Sequence, residues 1–476
     1  MKAIFEELLN HIPDYREFLT LAELDDSSRC LAAVYPESVK LFEMGRTVEG
    51  RPLLCLKISA PAREDGSPAP NALMFGCPHP NEPIGTMMLE YLTEALAKDE
   101  ALRAELGYTW YIVKAWDADG LVRNEGWLKG PYSIRNYGRH FFRPAGYKQV
   151  DWTFPIDYKE LHFHETLPET EAMMALIDDI RPEFIYALHN SGFGGVYWYV
   201  TRDIPAAYPK LQDVPERWGV PRSLGTPESP SLIELAPATY KAMGICSEYD
   251  YIEKYACPEG VSMADFLAEN MNVGDNSASY AEARYGTFTF LTELPYFYDP
   301  RTEDTSPSDM TRLEALQAQS AALRKDNEDL RRLLALSEDC IPADDPFLLA
   351  VKDFSGDGME DAELNAVKDD PAFLQMATVT EKLDRTVISR FYKMILYGML
   401  VRANKNALAA AEAAGDAAKC EKLRHALAET QIGFDSITDF LEENLNYSVI
   451  PIRSMVGIQL HSGLTVLEHL KGSEKK

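Results

Sequence analysis

An α/β domain is predicted, with a mixed, mostly parallel sheet flanked by helices and an all-α appendage behind it. Three observations point there. Apolar strand-like runs alternate with amphipathic helical patterns between residues 39 and about 300. Several runs, 72–75, 108–116 and 183–189, are almost continuously apolar, as strands buried on both faces are. After about residue 299 strand-like runs cease and long helical patterns replace them. The expected division is therefore 1–38, an N-terminal helical segment; 39–300, the α/β domain; and 301–476, a helical region.

Residues 1–38 open amphipathically (Ile4, Phe5, Leu8, Leu9), and a second helical segment is expected over 15–24. Residues 39–59 hold two strand-like runs around the turn Val48-Glu49-Gly50-Arg51-Pro52. The run Ala72-Leu73-Met74-Phe75 halts at Gly76, and a helical stripe follows (Ile84, Met87, Met88, Tyr91, Leu92). Residues 117–155 loosen into Gly, Pro, Arg and aromatics, a long segment of the kind that is usually functional or disordered. A helix start at Pro168 and strands over 183–189, 196–200 and 286–294 complete the domain. Beyond it, helices are expected over 308–336, 379–401, 406–431 and 434–445, with no strand from 301 to 455. The acids Asp353, Asp357, Glu360 and Asp361 lack the spacing of a calcium loop and read as a solvated turn.

The chain has 476 residues, enough for a large core, and a formal net charge of −28 that would repel phosphates. No nucleic-acid or anionic-membrane partner is expected. Seven cysteines without a C-x-x-C pair suggest a reducing compartment. The acidic N-terminus lacks a signal-peptide core, and the apolar stretch 387–401 is too short to span a bilayer. A cytoplasmic protein is the expectation.

Chemistry concentrates at strand ends. His79 and Glu82 stand three residues apart on the turn leaving the 72–75 strand, where an imidazole and a carboxylate can share one cation. The bland alternative is a surface turn whose Glu favours the helix N-terminus. His189 ends another strand. Alone it reads as a core histidine, but ligands in open α/β sheets gather at carboxyl ends of strands, so it becomes the natural third zinc ligand. Glu293 holds the matching place on T-F-T-F-L-T-E, and a buried carboxylate there needs a partner or a task. General base is that task. His162-Phe163-His164-Glu165 also satisfies H-x-x-E but follows no apolar strand, and a loop lining the cleft is expected. Cys77 reads as buried packing.

In this order, His79-x-x-Glu82, a distant His189 and a Glu after a T-F-T-F strand resemble the zinc metallocarboxypeptidases. Supporting pieces are Gly45–Leu53, similar to G-x-S-x-E-G-R-P; Asp117-Ala118-Asp119-Gly120, similar to N-P-D-G; and Pro168-Glu169-Thr170, similar to P-E-T. The resemblance spans about residues 39–295. It implies one zinc per chain on His79, Glu82 and His189, and a zinc-bound water activated by Glu293. It also implies an Arg that polarises the scissile carbonyl, for which Arg143 is chosen, and guanidinium anchors for the substrate carboxylate. Val150-Asp151-Trp152-Thr153-Phe154-Pro155 replaces the family's V-D-L-N-R-N-F-P, so its Asn-Arg pair is missing and Arg135 and Arg139 stand as anchors. Tyr280 or Tyr285 is the expected substrate-capping tyrosine.

The implied function is carboxypeptidase-like hydrolysis of a peptide, including a short cell-wall-type peptide. An alternative is a zinc deacylase of N-acyl amino acids, which the turn His79-Pro80-Asn81-Glu82-Pro83-Ile84-Gly85 also resembles. A third is a non-catalytic binding module that keeps the fold. For residues 301–476 three roles stay open: cover of the cleft, brace of the domain, or contact for a homo-oligomer.

Overall fold

The computed structural model describes residues 1–63, 65–356 and 361–473. A nine-stranded mixed sheet runs through its centre, in the order Val39–Arg46, Pro52–Ile58, Thr109–Val113, Asn71–Gly76, Phe184–Leu188, Phe288–Glu293, Tyr197–Val200, Thr239–Lys241, Glu234–Ala236. The four strands from Thr109–Val113 to Phe288–Glu293 are parallel to one another. Towards the edges the pairings are antiparallel, except that Thr239–Lys241 runs parallel to Tyr197–Val200. The parallel strands carry the continuous apolar runs because helices cover both faces, and Phe75, Ile112, Phe184, Ile185 and Phe290 are fully buried.

Register decides what meets at the end of this sheet. Gly76 lies beside Leu188, and Leu188 beside Thr292. The next residues on the three neighbouring strands therefore leave from one line, which carries the turn to His79, then His189, then Glu293. Gly76 is required there: a Cβ would lie 2.8 Å from the Gly85 carbonyl carbon.

The segment 117–155 is more regular than its composition suggests. It forms the helices Ala118–Leu128, capped by the Asp117 side chain, and Ile134–His140, capped by Ser133. The second N-terminal helix is Leu21–Val34, later than expected because Thr20 and Glu23 build its capping box.

Residues 301–473 are helical in the main, with four long helices: Arg312–Ala335, Ser389–Ala414, Ala417–Asn444 and Ile452–Ser473. The expectation of no strand is corrected in three short places. Pro307–Thr311 pairs with Met376–Thr378, and Ser448–Val449 pairs with Pro295–Tyr298. Gly415, in the left-handed region, splits the expected 406–431 helix. These helices cover one face of the sheet. Phe391, Leu400, Val456 and Leu464 share a continuous core with Trp110, Tyr186 and Trp198. Of the acidic turn, Asp357 and Glu360 lie outside the described residues; Asp361 pairs with Arg324 and Asp353 accepts from the Gly146 amide. Among the described residues no helix is long and apolar enough to cross a membrane.

Candidate active site

The turn after Asn71–Gly76 is tight, with Cys77 at φ +52° and the Glu82 amide donating to the His79 carbonyl at 3.0 Å. His189 is fixed from the neighbouring strand, its amide donating to the Thr292 carbonyl at 3.1 Å. The His79 and His189 rings lie 5.2 Å apart, and one ligand atom from each of His79, Glu82 and His189 falls within 4.8 Å of the others. His189 Nδ1 is 3.2 Å from Glu82 Oε2 and 3.7 Å from Glu293 Oε1.

All four side chains are buried, yet His79 Nδ1, Glu82 Oε2, His189 Nε2 and Glu293 Oε2 have no hydrogen-bond partner. Buried polar atoms are rarely left without a protein partner, so these residues are arranged to hold a further group. Two imidazoles and a carboxylate are the donor set of a catalytic zinc. Burial, then the Arg143 charge, holds the His79 imidazole well below its ordinary pKa, which keeps it neutral as a ligand must be. Burial, with the Glu228 and Glu82 charges, raises Glu293 well above the usual carboxylate range.

Arg143 reaches the same group. Its Nη1 is 3.4 Å from Glu82 Oε1, its Nε donates to Gln149 Oε1 at 2.9 Å, and it lies over the Trp152 ring. Beyond it opens a cavity of about 740 Å³, lined by His79, Glu82, Arg143, His189 and Glu293. Its far walls come from places the sequence did not flag: Glu228 and Glu248 from the middle of the chain, and Phe391, Tyr392 and Met399 from the Ser389–Ala414 helix. Asp151, also in the lining, accepts from the Ser277 amide and is pushed up to about 6 by burial.

Four expected substrate contacts lie elsewhere. Arg135 is held by Asp435, Asp439 and Glu442, and Arg139 lies near Asp435, so neither lines the cavity. Tyr280 and Tyr285 both donate to Asp178, on the helix Pro168–Ile180, and Tyr280 packs on Phe154 in the second core. The lining of the cavity includes none of these four, and each has contacts elsewhere. His162 and His164 sit on an exposed hairpin, share Asp157, and line no part of the cavity. Cys77 is fully buried, and burial pushes its thiol well up, as inert packing requires.

The three supporting motifs meet in a second buried cluster beside the first. Asp119 accepts from Thr47 Oγ1 at 2.8 Å, from the Glu49 amide at 2.9 Å and from Arg51 at 2.5 Å. Glu169 accepts from the Val48 amide, and Asp117 caps its own helix while its amide donates to the Cys77 carbonyl.

A family model described as zinc carboxypeptidase matches residues 25–308, well over half of the chain. Carboxypeptidase D of Drosophila melanogaster is 28% identical over 164 residues, which cover 32% of this chain and 11% of the fly protein. Two solved structures match at 15% identity: a metallo-carboxypeptidase from Burkholderia cenocepacia, covering 60% of this chain and 61% of its own at a TM-score of 0.35, and the carboxypeptidase A from Helicoverpa armigera, covering 62% and 71% at 0.37.

Proposed function

The chain belongs to the zinc carboxypeptidase family, and from that premise we propose that it hydrolyses an amide bond of a peptide-like substrate in the 740 Å³ cavity. One observation carries the reading: the buried, partnerless donor set of His79, Glu82 and His189 standing beside Glu293. These three residues would hold one zinc ion. Zinc bound there would supply Lewis acidity towards a carbonyl and lower the pKa of an attacking water.

The chain's own groups do the rest. Glu293 takes the proton of the attacking water. The same carboxyl then hands the proton to the leaving amine as the C–N bond breaks. Arg143, the one guanidinium among the lining residues, polarises the scissile carbonyl. Trp152 and Gln149 hold it in place.

A second reading, deacylation of N-acyl amino acids, is favoured by a specific feature. Arg135 and Arg139 are spent on acids of the Ala417–Asn444 helix, so a free terminal carboxylate finds no paired guanidinium anchor in the lining. A panel of dansylated dipeptides set against N-acetyl and N-succinyl amino acids, assayed with the zinc-loaded protein, separates the two. Turnover of dipeptides alone supports the peptidase reading, turnover of acylated amino acids alone the deacylase. Tight binding with no turnover of either would leave a binding module.

A further inference from the structure

The turn His189-Asn190-Ser191-Gly192 has to present His189 to the cation, and its backbone groups are satisfied from two different parts of the chain. Its amides are answered from nearby. The His189 and Ser191 amides donate to Thr292 and Leu294, on and just beyond the adjacent strand, at 3.1 and 3.2 Å, and the Gly192 amide donates to Asn190 Oδ1 at 2.6 Å. Its carbonyls are answered from the C-terminal helices. Tyr392 Oη donates to the Ser191 carbonyl at 2.6 Å, and Gln459 Nε2 lies 3.4 Å from the His189 carbonyl.

Both donors are themselves fixed. Gln459 is fully buried, and its own carbonyl accepts from Tyr186 Oη at 2.5 Å, on the strand that leads into the turn. Phe391, next to Tyr392, stacks on Tyr137 and closes on Gly192, which has φ +78° and whose added Cβ would lie 3.1 Å from the Phe391 ring. Tyr137 in turn accepts from Asn81 Nδ2 on the His79–Glu82 turn. One helix thus touches the His189 turn directly and reaches the His79–Glu82 turn through Tyr137, and it lies wholly beyond residue 308, where the family match ends.

We infer that Tyr392 and Gln459 are positioning residues: they fix the His189 turn in its ligating conformation, so the C-terminal region completes the metal site. This rests on the reading of His189 as a ligand. Hydrogen bonds to a ligating side chain typically carry 10–100-fold in metal affinity, and bonds that fix the backbone bearing that side chain act one step further out, towards the lower end of that range.

The test uses the full chain. Tyr392→Phe removes only a hydroxyl, and the residue is 42% exposed, so the core face of the helix is kept. Gln459→Met removes the donor at similar volume. Zinc affinity is read by competition with a fluorescent chelator, and hydrogen exchange of the 189–193 amides is read on metal-free protein. The expected result is zinc affinity weakened about 10-fold in each variant, with faster exchange confined to that turn. Wild-type zinc affinity in both variants overturns the proposal, whatever the exchange shows. If the wild type binds no zinc, the metal reading fails by itself. Faster exchange in the variants then still supports the clamp, and unchanged exchange overturns it.

Discussion

Two buried polar clusters lie side by side at the end of the sheet, and they treat their charges in opposite ways. Around Asp119 the carboxylate oxygens end on donors: a threonine hydroxyl, a backbone amide and the Arg51 guanidinium. Glu169 and Asp117 are each held through one oxygen only, by the Val48 and Gly120 amides. Around His79 four polar atoms have no hydrogen-bond partner. A buried carboxylate is costly without partners, so the first cluster is a lock and the second an incomplete set. The lock holds the open set in shape. Gly120 presses on Pro80 of the metal turn, and the Asp117 amide holds the Cys77 carbonyl. Sequence motifs that point to a family can therefore belong to the brace rather than to the chemistry.

The comparison breaks most sharply at Glu293. Glu293→Gln should lower kcat by roughly 10²–10⁴ while zinc content by metal analysis stays at that of the wild type. Equal turnover would mean that the open cluster is only another lock. Next in size is the metal itself. Zinc at one hundred times its dissociation constant should stabilise the fold by about 2.7 kcal/mol, read as a rise in Tm, and His79→Ala should abolish that rise. In the lock the order reverses. Asp119→Ala should cost about 2 kcal/mol of stability with or without zinc, while kcat changes little, because three hydrogen bonds are lost but no group lining the cavity.

The open set was legible in the sequence because a parallel strand exposes what stands at its carboxyl end. His189 and Glu293 follow apolar runs that could only be buried strands, and register did the rest. The walls were not legible. Arg135 looks like an anchor until Asp435 and Glu442, some three hundred residues on, fold against it. Gly120, Gly126 and Gly138 look like breaks in 117–155, yet they are close-packing points within helices. A Cβ on Gly138 would lie 2.8 Å from Met394 Cε, and Gly398 faces the Gly138 carbonyl across the same crossing. Small residues that admit another backbone and small residues that end an element read alike in one sequence. The same limit hid the part played by the C-terminal helices, whose donors Tyr392 and Gln459 meet the His189 turn only through the fold.

A stability difference that depends on pH also separates the clusters. Burial pushes Asp117 up to about 7 from an ordinary 3.8, with the Gly120 amide opposing the shift. Between those two values the unfolded chain is ionised there while the folded chain holds a proton. The unfolded state thus binds fewer protons, and this group makes stability fall as pH rises from about 4 to about 7, by at most about 1.4 kcal/mol per pH unit. Below and above that window its contribution is flat. Asp117→Asn keeps the oxygen that accepts from Gly120 and removes the titration, so its Tm relative to the wild type should climb across the window and then level off. Glu169 is raised in the same direction but is present in both proteins and cancels in the difference. A difference in Tm that stayed constant from pH 4 to 8 would show that Asp117 keeps its charge inside the fold, and that the lock tolerates a buried anion through the Gly120 amide alone.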